Sequence, residues 1–343
     1  MNDMRQRFAA DTAVVVEPRD WLRVLAQYRD PSTKRSVFEL TVTFVPFVIL
    51  FAVAWWAATV SPWLALAISA MNSGFLLRLF TIQHDCGHGS FFRERQVNDW
   101  IGRIIGVLTL TPYDVWRRGH SIHHSGSGNL DKRGIGDIFT MTAREFREAS
   151  GWDRLVYRAY RHPLTLFLIG PVYIFGIQNR LPVGFFTAGR KYWISAMGTN
   201  AAIVALSAVA IYFMGWQTFL LVCVPTTLLA AAAGMWLFYV QHQFEETVWD
   251  EDGEWDMHEA ALHGSSYYVM PRFLQWMTGN IGVHHVHHLY SRIPFYRLTE
   301  VLRDHPQLAQ MRRMTIRDSL KCVRLNLWCE TSRKLISFRE LSK

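Results

Sequence analysis

Histidine is the residue type whose placement in this 343-residue chain first suggests chemistry. There are 14 histidines, and three short segments hold most of them. His84 and His88 lie in HDCGHGSFF; His120, His123 and His124 lie in HSIHH; His284, His285, His287 and His288 lie in HHVHH. At this histidine frequency an HxxHH pattern should arise by chance roughly 0.02 times in such a length, yet it occurs twice. On a helix, positions i, i+3 and i+4 project from one face. Each HxxHH is therefore expected to offer two or three imidazoles to one point, and His84 with His88, four apart, to offer two. His285 points about 100° away from His284 and is left out of the ligand set. His242, in QHQFEETVW, is the best extra ligand, although a single histidine at a helix end is commonly just an interfacial residue. Eight or nine imidazoles exceed the four ligands that usually satisfy one zinc ion, so two metal ions are the simpler count. Imidazole suits Zn, Cu, Fe and Ni alike, so the ligands alone do not choose the element.

The rest of the chain must bring these segments together, and its composition points to a membrane. Half of it is hydrophobic, 14% is aromatic and only 19% is charged, against about a quarter charged in ordinary soluble domains. A mean hydropathy of +0.06 is too low for a protein that is mostly membrane span. A few spans with substantial polar mass on one side remain. The net charge of +8 suits anionic headgroups. Nucleic acid is not the expected partner, because 14 Trp in so apolar a chain belong with a bilayer.

A transmembrane helix needs about 20 apolar residues. Residues 40–60, 63–82, 194–214 and 217–240 qualify, with turns at Ser61-Pro62 and Gly215-Trp216 pairing them into two hairpins. Arg78, near one end of the second span, is expected to snorkel to the interface. Residues 101–111 and 164–177 are apolar but too short to span, and are expected in the interface or against the protein. Arg5, Arg7, Arg19, Arg23, Arg29, Lys34 and Arg35 precede the first span, and Arg180, Arg190 and Lys191 precede the third; the hairpin turns carry no charge. The positive-inside rule then places both termini and all long loops in the cytoplasm, with four crossings. No apolar core suggests a signal peptide in the first 36 residues, and four cysteines without a CxxC pair fit a reduced compartment. The expected fold is all-α and integral to the membrane: two hairpins of transmembrane helices carrying a cytoplasmic helical cap that holds a histidine-ligated dimetal site. Its parts are a cytoplasmic segment (1–39), hairpin one (40–83), a cytoplasmic and interfacial region with the first two histidine segments (84–193), hairpin two (194–241), and a cytoplasmic region with the third segment (242–343).

HDCGH, HxxHH and HxxHH, in that order around two hairpins, resemble the three histidine boxes of the integral-membrane fatty acid desaturases. The resemblance covers roughly residues 40–300. The three-residue gap inside HDCGH, QHQFEETVW and GNIGVHHVHHLYSRIP are similar to the Δ12 (omega-6) acyl-lipid branch. The resemblance implies two iron ions that activate O2 and remove two hydrogens from an acyl chain of a membrane lipid. It implies as ligands His84 and His88, then His120, His123 and His124, then His284, His287 and His288, with His242 resembling the additional ligand before the third box. No flavin or dinucleotide fingerprint is present, so a ferredoxin-like or other external electron donor is expected on the basic face. A bacterial-type inner membrane, with the active site on the cytoplasmic side, is the expected location. A hydroxylase or other lipid oxidase would carry the same boxes. A b-type electron carrier would need paired histidines inside the spans, and a metal transporter would need polar ligands at the bilayer midplane; the spans supply neither.

Smaller signals have two readings each. Asp85 is expected to orient an imidazole, and Asn280 either to hold a metal-bound water or to cap a helix. Asp114, Asp131, Asp137, Glu245 and Glu246 flank the boxes, either behind the ligands or in salt bridges. Cys86 reads as structural, His258 and His263 as shaping a loop, and His162 and His305 as turn or interface residues. Asn72, Ser73 and Gly74 form a small polar notch that either lines an acyl tunnel or packs helices closely, and residues 230–234 read the same way. Residues 320–341 are expected as an amphipathic helix on the headgroups, or else a patch where the donor docks.

Overall fold

The computed structural model describes residues 20–342; Arg5, Arg7 and Arg19 lie outside them. A short helix, α1 (Trp21–Leu25), leads to α2 (Thr33–Ala58), whose first turn is capped by the Ser32 hydroxyl. α3 (Pro62–His88) starts on a Ser61 cap with Pro62 in the first turn, and ends at Gly89. Gly89 has φ +68°, the left-handed conformation that a Cβ disfavours. α4 (Arg95–Leu108), α5 (Tyr113–Gly126), α6 (Ala143–Glu148), α7 (Gly151–Tyr160) and α8 (Gly170–Gly176) follow. α9 (Arg190–Met214) turns at Gly215 into α10 (Trp216–His242). The remainder contains α11 (Met257–His263), β1 (Tyr267–Val269), α12 (Arg272–Met277), α13 (His284–Leu289), α14 (Leu298–Asp304), β2 (Arg313–Thr315), α15 (Ile316–Cys322), β3 (Leu327–Cys329) and β4 (Lys334–Ile336). The fold is helical, with β1 and β2 paired in parallel and β3 and β4 antiparallel.

Four of these helices, α2, α3, α9 and α10, are long and apolar enough to cross a membrane. α3 is the central one, packed against α2, α10 and α4. α3 and α10 continue without a break past the apolar stretches, so His84, His88 and His242 stand on the last turns of membrane helices. The main core gathers beside those turns, where Leu79, Ile82, Tyr239 and Val240 meet Val283, Val286 and Phe295. α4 presses Gly102 and Gly106 against its neighbours: a Cβ at Gly102 would lie 2.2 Å from the Tyr113 ring. Its opposite face exposes Val97, Trp100 and Ile104. Residues 164–177 form a π-turn (Thr165–Ile169) and α8, packed on α10 and exposing Leu168, Ile169 and Val172 outward.

Two expectations are corrected. Arg78 does not snorkel: it is 1% exposed and ion-paired with Glu39 of α2, which is equally buried. Its Nε donates to the Thr43 hydroxyl at 3.0 Å, a terminal nitrogen donates to the Trp276 carbonyl, and the guanidinium lies 4.1 Å from the Trp276 ring centroid. A carboxylate within reach on the neighbouring helix removes the reason to seek water. Residues 320–341 are not one amphipathic helix: α15 ends at Cys322, and β3 and β4 pair as a hairpin with Trp328 only 2% exposed. Each of the two strands buries two of its three residues, and Arg333 in the turn between them takes a left-handed conformation. The hairpin lies on the cap, where Trp328 N–H donates to the Met141 carbonyl and Leu335 N–H to the Glu245 carbonyl.

Removing one partner of a buried pair strands the other charge, at about 3–5 kcal/mol. Glu39→Met should therefore lower the unfolding temperature in detergent more than the Glu39→Met/Arg78→Met double variant does. A double variant less stable than either single one would refute this account of the pair.

Candidate metal centre

Nine histidines on four helices converge beneath the cap, in two groups. The first contains His84, His88, His120, His124 and His287; the second contains His123, His242, His284 and His288. Within each group the candidate ligand atoms lie within 4.8 Å of one another. Each HxxHH offers two imidazoles to one group, as its spacing suggests, and its remaining one to the other. His120 and His124 enter the first group and His123 the second, whereas His284 and His288 enter the second and His287 the first. Residues i+3 and i+4 differ by about 100° around a helix, so a helix lying between two sites divides them. The groups adjoin, with the His124 and His288 rings stacked at 4.1 Å between centroids.

The inward-facing atoms are mostly Nε2. His88 and His120 approach to 3.0 Å, His120 and His124 to 3.1 Å, and His124 and His287 to 3.1 Å. In the second group His242 lies 3.2 Å from His123 and 2.9 Å from His284. Several outward Nδ1 atoms have partners that fix the tautomer. His84 Nδ1 faces Asp85 at 3.3 Å, His123 Nδ1 faces Asp137, and His242 Nδ1 faces the Gly264 carbonyl at 3.3 Å. A proton on each of those Nδ1 atoms leaves a lone pair on Nε2 pointing inward. Buried Nε2 of His288 has no partner among the described residues. Imidazole lone pairs aimed at one another lack a donor, and a shared cation resolves that; the donor set therefore fits a metal ion in each group. Burial, and then the neighbouring imidazoles, hold His120, His124, His284, His287 and His288 well below the usual histidine pKa, so they are neutral imidazoles at pH 7. All of the second group is buried, while His88, His120 and His124 of the first are partly exposed.

The neighbouring residues sort by their partners. Asp85 also accepts the Phe295 N–H at 2.7 Å, tying the first box to the segment after the third. Asn280 sits in a left-handed turn, φ +54°, and its amide donates to the Phe295 carbonyl at 3.1 Å. Asp114 pairs with Arg103 and Lys191, Glu245 with Lys334 and Glu246 with Arg312, away from the histidines; Asp131 accepts the Asp252 N–H. Buried His285 bonds the Leu308 carbonyl at 2.9 Å and joins neither group. Cys86 is buried and also joins neither. His258 and His263 face Asp256 and Glu259 of their own segment, and His305 packs on Trp21 and Tyr28. In the α3 notch, Ser73 bonds the Ala70 carbonyl, and a Cβ at Gly74 would lie 3.1 Å from the Met277 sulfur, so that edge is close packing. Asn72 is fully buried, with no partner for its amide among the described residues. Sequence reasoning overlooked Trp116, whose ring stacks on His120 at 4.7 Å; its place one turn before His120 was the available signal.

Histidines held neutral in the folded state but free to protonate when unfolded stabilise the fold above their unfolded pKa, near 6.5, and lose that contribution as pH falls through it. Metal-free protein should show a falling unfolding temperature from pH 7 to pH 5. A transition that does not move over that interval would contradict a set of buried neutral imidazoles.

Comparison with known proteins agrees with this geometry. A family model described as fatty acid desaturase matches residues 61–319. A Bacillus subtilis protein named fatty acid desaturase is 44% identical over 317 residues, 92% of this chain and 90% of that one. An sn-1 acyl-lipid omega-3 desaturase (ferredoxin) of Synechocystis is 28% identical, covering 71% of this chain and 67% of its own length. An sn-1 oleoyl-lipid 12-desaturase of Anabaena variabilis is 27% identical, covering 73% of this chain and 71% of its own length. With its membrane helices and paired histidine groups, the chain belongs to the fatty acid desaturase family.

Proposed function

We propose that the protein is an O2-dependent desaturase that introduces a double bond into a fatty acyl chain of membrane lipid, of the Δ12 (omega-6) type, with one iron ion in each histidine group. The observation that carries this reading is the pair of all-histidine groups standing on the last turns of α3 and α10. The similarity to 12-desaturases that act on oleoyl lipid supports the substrate class. His84, His88, His120, His124 and His287 would hold one ion and His123, His242, His284 and His288 the other. Bound iron supplies the oxidising power that unactivated methylene groups require.

The chain's own residues do the rest. Asp85, Asp137 and the Gly264 carbonyl hold three imidazoles with their inward nitrogens free. The buried second group keeps water from one side of the centre. Because α3 and α10 run unbroken from the apolar stretches to the histidines, an acyl chain reaches the centre without leaving the bilayer. The overall change converts CH2–CH2, O2, two electrons and two protons into CH=CH and two waters. The electrons come from an external donor of the ferredoxin type, consistent with the name of the Synechocystis relative. The charge asymmetry of the connecting segments supports a centre on the cytoplasmic side of an inner membrane.

Expression in a host lacking polyunsaturated lipids, followed by gas chromatography–mass spectrometry of total acyl chains, tests this reading. A new double bond twelve carbons along the acyl chain, at least a hundredfold reduced by His287→Ala, is expected. A hydroxylated chain would move the activity to the sister oxidases. Purified protein should contain two irons per chain, and none would sink the proposal.

A further inference from the structure

Asp137 reaches His123 from the connection between α5 and α6, a stretch with neither helix nor named strand around it. His242 stands where α10 ends, and its successor Gln243 has already left helical geometry. His123, through its partner Asp137, and His242, through its successor, thus each adjoin a segment outside the regular helices. One side chain grips both segments. Arg161, at the end of α7, is 1% exposed. It forms no ion pair among the described residues. One of its terminal nitrogens donates to the Phe139 carbonyl and the Thr140 hydroxyl, each at 3.2 Å. The other donates to the Gln243 side-chain carbonyl at 2.8 Å, the Leu325 carbonyl at 2.8 Å and the Tyr239 hydroxyl at 3.3 Å. Thr140 closes the circuit, its hydroxyl lying 3.3 Å from the same Gln243 oxygen.

A buried cation without a counter-charge is costly, and neutral acceptors must compensate it. Here they come from the Asp137 segment, the end of α10 and the tail beyond α15. Only a planar fork reaches all three directions from one position; the single ammonium of lysine does not. We propose that Arg161 is the positioning residue of the second histidine group. It holds the Asp137 segment and the end of α10 in register so that His123 and His242 meet at one point. This rests on the reading that each group holds a metal. It makes the second site, and not the first, dependent on a residue 38 positions in sequence from that site's nearest histidine, His123, to which Arg161 is joined only through the fold.

The test is metal binding to the full chain in lipid nanodiscs, by titration with Fe(II) or Co(II) and elemental analysis, without reference to turnover. Arg161→Lys should leave one metal bound with near wild-type affinity and weaken the other about 10–100-fold, as loss of an outer partner does. Adding His242→Ala to that variant should lower metal content little further, whereas adding His88→Ala should remove most of what remains. Arg154→Gln, an exposed change on α7, should behave as wild type. Arg161 is only a scaffold anchor, and the proposal fails, if Arg161→Lys and Arg161→Gln lower the unfolding temperature while both metals stay tight. Equal weakening of both metals, or variants that lose their fold before they lose metal, would overturn it too. Wild-type stoichiometry reports on the desaturase reading and the difference between variants reports on Arg161, so the two failures are separable.

Discussion

Two helices, α5 and α13, each send histidines into both groups, and this shared placement constrains everything around them. A helix that feeds two sites cannot rotate or slide to improve one without spoiling the other. Each site therefore inherits the rigidity of the pair, and the stacked rings of His124 and His288 mark where they touch. The remaining histidines come from α3 and α10, two of the helices long and apolar enough to cross a membrane. Cap and membrane hairpins thus form one machine part: neither supplies a complete group by itself.

Tight placement of this kind needs an anchor between the hairpins and the cap, and polar contacts supply it in a mostly apolar region. Glu39 and Arg78 link α2 to α3, and Arg78 continues to the Trp276 carbonyl and the face of its ring. Phe295 is the next link. Its N–H is taken by Asp85, its carbonyl receives Asn280, and its ring stacks with Phe91. The first box and the segment after the third box are tied together through one residue that is not itself a ligand. On the other side of the centre the β3–β4 hairpin and Arg161 play the corresponding part, binding the tail of the chain to the end of α10. Low dielectric makes each such contact stronger when satisfied and more damaging when broken.

The two groups differ in access. The second is buried throughout, and the first is partly open at His88, His120 and His124. Trp116 lies along that more open group, and a Cβ on Gly87 would lie 2.8 Å from its ring, so the box-one glycine is what lets the indole rest there. A centre with one sealed and one approachable half suits chemistry that must admit substrates while keeping bulk water out.

Much of this protein was legible in its sequence for simple reasons. Hydrophobic length alone marks the spans, because a bilayer demands about 20 apolar residues whatever they pack against. Eight of the nine converging histidines stood out because their spacing is far from chance, and His242 only by its place at the end of a span. The division of each HxxHH between two sites did not, since spacing reports angles around a helix and not what lies on either side of it. Arg78 and residues 320–341 were misread for the same cause. A charge in a span snorkels unless a partner is at hand, and whether Glu39 stands opposite depends on how α2 and α3 pack. A mixed apolar and basic tail binds headgroups unless a cap offers it a surface. Histidine spacing and apolar length are properties of short stretches, which sequence determines directly; pairing, burial and the sharing of histidines between groups depend on residues distant along the chain, which only the packed tertiary structure decides.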